Sequence, residues 1–321
     1  MQNLSEYLTI IENRLKSIEY PGSPSGLYDP IAYTLDGGGK RLRPTLTLAA
    51  CEAFGGNADE ALNQAVAVEM FHNFTLLHDD VMDGADMRRG RPTVHLRWDD
   101  RTAILSGDAM LTMSNTLVRQ GCTPEQAMAV ADLLDRTAME VYEGQQYDMD
   151  FENQNGVGVD DYLKMIRLKT SVLLGCAARL GAIMGGADRK SQQAIYNYGV
   201  ELGMAFQLQD DYLDTYGDPI IFGKEIGGDI VNDKKTWLSI IALEEDKSGV
   251  MKSELDSPSP TAEKIERVRG VYDSLDLDRR CHELIDGYID SAIKELENAE
   301  MTPAARQFFI DIAEHSRTRT H

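Results

Sequence analysis

Two helical stretches of this chain, apolar along much of their length, each carry three carboxylates in the same arrangement. The first reads Leu76-Leu77-His78-Asp79-Asp80-Val81-Met82-Asp83, and the second, 131 residues later, reads Gln207-Leu208-Gln209-Asp210-Asp211-Tyr212-Leu213-Asp214. Each places carboxylates at i, i+1 and i+4, and on a helix the i and i+4 positions share a face. A fold that turned the two faces toward each other would gather up to six negative charges. Like charges in a shared site repel and raise each other's pKa, so such a site needs a cation. Oxygen ligands without cysteine or an obligatory histidine favour Mg2+ or Mn2+ over zinc, and Mg2+ on one or two carboxylates completes its shell with water and phosphate. Either cluster alone could be a solvated acidic helix end. The apolar neighbours, Phe71 to Leu77 and Met204 to Leu208, argue against a solvated face.

The pattern around these clusters is helical almost throughout. Leu4, Leu8, Ile11 and Leu15 form an apolar stripe at helical spacing, and Leu284, Ile285, Tyr288, Ile289, Ala292, Ile293 and Leu296 form another. Thr123-Pro124 and Thr302-Pro303 read as an N-cap followed by proline in the first helical turn. Gly55-Gly56 and Gly185-Gly186 read as helix ends. No period-2 strands with hairpin turns stand out, so the expected fold is all-α. Neither the Asn153–Asp160 loop nor the Ser257–Pro260 loop shifts composition enough to mark a boundary. The expectation is one domain over 1–321 with roughly ten to thirteen helices.

Charge narrows the function. The chain has 53 acidic and 32 basic residues, a formal net charge of -21. That balance argues against non-specific nucleic-acid binding, which needs a basic footprint, and equally against binding to an anionic membrane surface. No run approaches the roughly 18 apolar residues of a membrane span, and Met1 to Leu15 is amphipathic rather than a secretory leader. Cys51, Cys122, Cys176 and Cys281 are scattered without metal-ligand spacing and read as reduced thiols. A cytoplasmic protein without membrane insertion is expected.

Cations shadow both acidic clusters. Asp36-Gly37-Gly38-Gly39-Lys40-Arg41-Leu42-Arg43-Pro44 sets three glycines before three cations. Glycines permit close backbone approach, a helix start offers free N–H groups, and arginine forks bind phosphate bidentately. The order is not that of a Walker A loop. Arg88-Arg89-Gly90-Arg91-Pro92-Thr93 follows the first cluster, where its cations can pair with the carboxylates or share an anion with them. Lys224-Glu225-Ile226-Gly227-Gly228-Asp229 and Lys234-Lys235-Thr236 follow the second. Lys169-Thr170 interrupts the apolar run Met165 to Leu174, where lysine could equally snorkel to solvent. Acid followed by base in both halves suits two diphosphates bound with metal. There is no Gly-x-Ser-x-Gly elbow and no His-Glu-x-x-His motif.

Taken in order, Gly38-Gly39-Lys40-Arg41-Leu42-Arg43-Pro44, His78-Asp79-Asp80-Val81-Met82-Asp83 with Arg88-Arg89-Gly90, Lys169-Thr170, Phe206-Gln207-Leu208-Gln209-Asp210-Asp211-Tyr212-Leu213-Asp214 and Gly223-Lys224 through Lys234 make a specific pattern. The chain resembles the trans-type, or (E), isoprenyl diphosphate synthases of the polyprenyl synthetase family over essentially its whole length. The resemblance implies an all-α fold around a deep central cavity, commonly a homodimer, with about three Mg2+ ions per site and Mn2+ as a substitute. By position, Asp79, Asp83 and Asp210 would ligate metal directly, and Asp80, Asp211 and Asp214 through water or neighbouring groups. Arg88, Lys169, Lys224 and Lys234 would hold the allylic diphosphate, together with Thr170 and Gln207. Lys40, Arg43, His72 and Arg89 would hold isopentenyl diphosphate. Oxygens of Lys169, Thr170 and Gln207 would lie beside a developing carbocation.

The implied reaction ionises the allylic C–O bond, adds the isopentenyl double bond to the cation and loses a proton, with the released diphosphate as its acceptor. No dedicated side-chain base is then needed, and His78 reads as structural. The family's chain-length position, five residues before the first aspartate, is Phe74; Thr75 is small, and Phe71 lies deeper. That pattern favours a C20 over a C15 product. A class I terpene cyclase would need no Lys40/Arg43 group, and a non-catalytic partner subunit would commonly have lost one acidic cluster.

Overall fold

The computed structural model describes residues 1–217, 226–256 and 258–317, and over these the regular structure is helical apart from one short hairpin, with loops between. Two compact units divide it: residues 1–136, 176–196 and 299–305 form the first, and residues 137–175, 197–298 and 306–321 the second.

The first unit contains α1 (Leu4–Lys16), α2 (Ser25–Leu35), α3 (Leu42–Ala53), α4 (Leu62–Met82), the strands β1 (Met87–Arg88) and β2 (Arg91–Pro92), α5 (Val94–Arg97), α6 (Asp100–Leu117) and the start of α7 (Pro124–Asn153). Its centre is α4, in which every residue from Gln64 to Phe71 is buried. A helix enclosed on all sides must satisfy its polar members internally. Gln64 donates to the Val118 carbonyl at 2.9 Å, and Glu69 accepts from Arg41 at 2.6 Å. The α1 stripe differs from expectation: Tyr7, Ile11 and Leu15 are buried, whereas Leu4 is exposed. Tyr7 belongs inside because its hydroxyl reaches Glu52 at 2.8 Å.

Caps fall where the sequence placed them. Thr123 Oγ1 accepts from Gln126 N, and Gln126 Oε1 from Thr123 N, closing a capping box on α7. The hairpin was not anticipated. Arg89 and Gly90 both adopt positive φ, 51° and 72°, which is the two-residue turn that joins right-twisted strands.

The second unit takes the rest of α7, then α8 (Val159–Ile166), a π-helical turn (Arg167–Ser171), the start of α9 (Val172–Met184) and the later part of α10 (Arg189–Tyr216). It continues through α11 (Gly228–Val231), α12 (Trp237–Glu245), α13 (Val250–Asp256), α14 (Thr261–Ser274), α15 (Leu277–Glu295) and most of α16 (Pro303–Arg317). The α15 stripe is buried at Cys281, Ile285, Ile289 and Ala292. Helices slightly outnumber the expected ten to thirteen because single turns such as α5 and α11 stand apart from the long helices. Among the described residues no helix is long and apolar enough to cross a membrane. All four cysteines are free thiols.

Candidate active site

In the first unit the acidic cluster closes α4. Gly84 (φ 61°) follows the Asp83 cap, Ala85 N bonds to the Asp80 carbonyl at 3.0 Å and Gly84 N to the Val81 carbonyl at 3.4 Å, a Schellman ending. Asp79, Asp80 and Asp83 therefore lie at the negative end of the helix dipole, where carboxylates are disfavoured and cations welcome. Asp80 is buried, and its Oδ1 accepts from Arg88 Nε at 2.9 Å and Nη2 at 2.6 Å. Burial raises the Asp80 pKa above its ordinary value against the pull of Arg88, and Asp83 adds to the rise. Arg88 is held on β1, so the hairpin delivers it to the end of α4.

The glycine-rich segment lies beside this arrangement. Gly38 and Gly39 have positive φ, and a Cβ on Gly39 would stand 3.0 Å from the Arg89 guanidinium. Arg89 donates to the Gly38 carbonyl and, at 3.5 Å, to Asn73 Oδ1. Arg41 takes a different part from its neighbours. It is buried, paired with Glu12 at 2.8 Å and Glu69 at 2.6 Å, and donates to the Leu35 carbonyl at 2.8 Å. Glu69 also accepts from Asn73 Nδ2 at 3.0 Å, so a continuous set of bonds runs from Arg41 through Glu69 and Asn73 to Arg89. Lys40 is exposed and Arg43 half-buried at the start of α3.

His72 lies in the field of Arg43, Arg89, Arg88 and Arg41; desolvation first, then these four cations, hold its pKa well below the ordinary value. The imidazole is neutral, and the field around it is that of an anion site. A cleft open to solvent lies between Tyr33, Asn73, Leu76, Asp80, Arg88 and Arg89. Phe74 stands on the neighbouring face of α4, with ring centroids 5.3 Å from Phe71 and 5.0 Å from His78. Thr75 Oγ1 bonds back to the His72 carbonyl at 2.8 Å. His78 Nε2 meets the Ile104 carbonyl at 3.0 Å, and Gly107 leaves room for its ring.

In the second unit Lys169 and Thr170 lie in the π turn rather than in a continuous α-helix. Such turns widen the helix and re-aim backbone and side chains. Two glycines make room for it: a Cβ on Gly144 would be 2.2 Å from Lys169 N, and one on Gly203 2.5 Å from Ser171 Cα. Lys169 pairs with Asp148 at 2.5 Å. Thr170 Oγ1 donates to Gln207 Oε1 at 2.9 Å, and Gln207 Nε2 donates to Asp211 Oδ1 at 2.9 Å. The other Asp211 oxygen accepts from Tyr162 at 2.6 Å. Asp211 is thus oriented from both sides, its pKa raised first by burial and further by Asp210.

Asp214 Oδ2 accepts from Asp229 N at 2.8 Å, capping the first turn of α11. Burial, with Asp211 and Asp214 close by, pushes the Asp229 carboxyl up to about 7 against the pull of Lys234. Lys234 lies 3.6 Å from Asp229. Desolvation works to lower its pKa, but Asp211, Asp229, Asp148 and Asp214 hold it above lysine's ordinary value. Lys224 lies outside the described residues.

The acidic groups of both units fit a hard divalent cation. Within each unit burial first, and neighbouring carboxylates after it, raise Asp80, Asp211 and Asp229, and the clusters supply only oxygen. Among the described residues no three His, Cys, Asp or Glu side chains are placed to hold a metal by themselves. The sequence did not single out Glu69, Asn73, Asp148, Tyr162 or Asp229 for a role. The signal for Glu69 was a lone carboxylate in the fully apolar stretch of α4; nothing marked Tyr162.

Fold and site together define an all-helical enzyme built around paired acidic and basic groups. The polyprenyl synthetase family model matches residues 24–273, and the chain belongs to that family. It is 37% identical over 314 residues to a geranylgeranyl pyrophosphate synthase of Geoglobus acetivorans, covering 97% of each chain. It is 35% identical over 313 residues to a geranylfarnesyl diphosphate synthase of Natronomonas pharaonis, covering 92% of this chain and 84% of the other. A crystal structure of a geranylgeranyl pyrophosphate synthase superposes with a TM-score of 0.95 at 44% identity over the whole of both chains. The protein is a prenyltransferase of the short-chain type. Members of its family use a divalent metal with diphosphate substrates.

Proposed function

We propose that this chain condenses isopentenyl diphosphate head-to-tail with an allylic diphosphate and releases a C20 product. The observation that carries the reading is the pairing of each acidic cluster with its own cations: Asp80 with Arg88, and Asp211, Asp214 and Asp229 with Lys234. Asp79, Asp83 and Asp210 hold Mg2+, about three ions per site, with Asp80, Asp211 and Asp214 behind them. Bound there, the metal supplies Lewis-acid neutralisation of the departing diphosphate. Arg88, Lys169, Lys224 and Lys234 bind the allylic diphosphate and stabilise negative charge as it leaves. Thr170 and Gln207 present oxygens toward the allylic carbons; the π turn sets the direction of Thr170, whose hydroxyl bonds Gln207 on α10. Lys40, Arg43, His72 and Arg89 bind isopentenyl diphosphate; the four arginines that depress His72 supply the field. The proton lost at the end goes to the released diphosphate.

Residues 1–321 act as one catalytic domain within a homodimer, in the cytoplasm. Four free thiols suit a reducing compartment. Phe74 sets product length: it is buried, and the edge contact with Phe71 holds its bulk in place on α4. Chromatography of products made from isopentenyl diphosphate with dimethylallyl, geranyl or farnesyl diphosphate tests the reading. The expected main product is C20, and Phe74→Ala makes it longer by one or more isoprene units. Failure to consume isopentenyl diphosphate would indicate a cyclase, and an unchanged distribution in the variant would remove Phe74 from length control. Asp79→Ala and Asp210→Ala lower turnover by orders of magnitude while the chain stays folded.

A further inference from the structure

Lys264 lies on α14, an element that supplies none of the residues discussed above. Its side chain is only 4% exposed, yet it ends in an ammonium group. Nζ donates to Asp233 Oδ1 at 2.8 Å and to the Val231 carbonyl at 3.2 Å. A buried ammonium persists only where its partners repay the lost hydration. Both partners have unusual needs. Val231 is the last residue of α11, so its carbonyl has no acceptor role inside the helix. Asp233 is a non-glycine residue at φ 53°, a conformation that surrounding contacts must hold in place. Lys264 therefore caps one helix end and fixes one left-handed residue through a single group.

The residue after that turn is Lys234. Its backbone N bonds to the Asp229 carbonyl at 3.0 Å, and its ammonium reaches Asp229 at 3.6 Å within the field of Asp211, Asp214 and Asp148. Any relaxation of φ at Asp233 swings the Lys234 side chain away from these groups. Arg267, one turn along α14, pairs with buried Glu254 at 2.9 Å and anchors the helix that carries Lys264.

We propose that Lys264 is a positioning residue: by clamping the Asp233 turn it holds the Lys234 ammonium where the allylic diphosphate binds. The inference rests on the reading of Lys234 as an allylic-diphosphate ligand. Lys264 itself touches no substrate.

Steady-state kinetics of Lys264→Met, Lys234→Ala and the double variant test it, each substrate being varied while the other is saturating with Mg2+. Lys264→Met is expected to lose about tenfold or more in kcat/KM for the allylic diphosphate, with the isopentenyl diphosphate KM little changed. In the Lys234→Ala background the same substitution causes no further loss, because its effect runs through Lys234. Lys264→Arg restores part of the activity. A full further loss in the Lys234→Ala background, or equal changes in both KM values, overturns the inference. If Lys234→Ala is impaired while Lys264→Met behaves as the native enzyme, this inference alone fails. If Lys234→Ala leaves the allylic kinetics unchanged, the reading of Lys234 fails and the inference with it. Should Lys264→Met not fold, Asp233→Ala removes the same acceptor, and with it a side chain that tolerates the left-handed conformation, from its exposed side; a loss smaller than about twofold there overturns the inference.

Discussion

A histidine among four arginines has one comfortable state. His72 cannot accept a proton without adding a fifth positive charge to a desolvated site, and its folded-state pKa is depressed accordingly. In the unfolded chain a histidine titrates near 6.5. As pH falls below that value the unfolded state takes up a proton that the native state refuses, so native stability declines. The contribution of the neutral ring is thus complete above about pH 6.5 and is lost on the acid side. His72→Gln keeps a polar side chain without the titration. Thermal unfolding of both proteins between about pH 8 and 5 is expected to show a shallower acid-side decline in the variant; parallel curves would contradict the assignment. At this scale much was legible. Carboxylates inside apolar helices and arginines after glycines announce themselves by being out of place. Arg41 and Arg43 do not: both stand in one short basic run, yet Arg41 is locked to Glu12 and Glu69 while half-buried Arg43 adds its charge to the field at His72. Arg41 also adopts a left-handed conformation, which one sequence does not reveal.

Among the elements, long helices were readable from periodicity and caps, and short irregular ones were not. The π turn at Arg167–Ser171 interrupts an apolar run whose spacing suggests an unbroken helix. What permits it is distant in sequence: Gly144 on α7 and Gly203 on α10, each too close to the turn for any side chain. A Cβ on Gly144 would collide with backbone, 2.2 Å from Lys169 N and 2.7 Å from Lys169 Cα, and backbone cannot rotate aside as a side chain can. Gly144→Ala is therefore expected to destabilise by about 1–3 kcal/mol and to lower kcat by displacing Lys169 and Thr170. Gly287→Ala provides the contrast. Gly287 is an exposed position inside α15 where a Cβ meets nothing within 4 Å, so alanine there stabilises by about 0.5–1 kcal/mol through helix propensity. Denaturant unfolding and turnover of both variants check the pair; loss of stability without loss of kcat in Gly144→Ala would detach the turn from catalysis. The β1–β2 hairpin escaped the sequence reading for a related reason. Two-residue strands are too short for a period-2 signal, and Arg89-Gly90 is not one of the pairs that advertise such a turn.

For the whole molecule the dominant quantity is a net charge of -21, which opposes compaction through self-repulsion. Two effects of added cations should be separable. Monovalent salt screens charges at distances beyond about 8 Å at physiological strength, so it stabilises the chain increasingly as ionic strength rises and regardless of which cation is used. Mg2+ can act in addition at the crowded carboxylates, where burial and mutual repulsion have raised Asp80, Asp211 and Asp229. An ion that binds only the native state adds about 2.7 kcal/mol at a hundredfold excess over its Kd, a shift of a few degrees for a chain of this size. Thermal unfolding in NaCl and in MgCl2 at matched ionic strength is expected to show a higher Tm with Mg2+. Inorganic diphosphate should widen the gap, since phosphate oxygens complete the ion's shell. Asp79→Ala and Asp210→Ala should keep the NaCl response, which depends on total charge, and lose the Mg2+ increment, which depends on particular oxygens. Equal Tm values in the two salts for the native chain, with and without diphosphate, would mean that the clusters do not bind Mg2+ and that the repulsion within them serves another end.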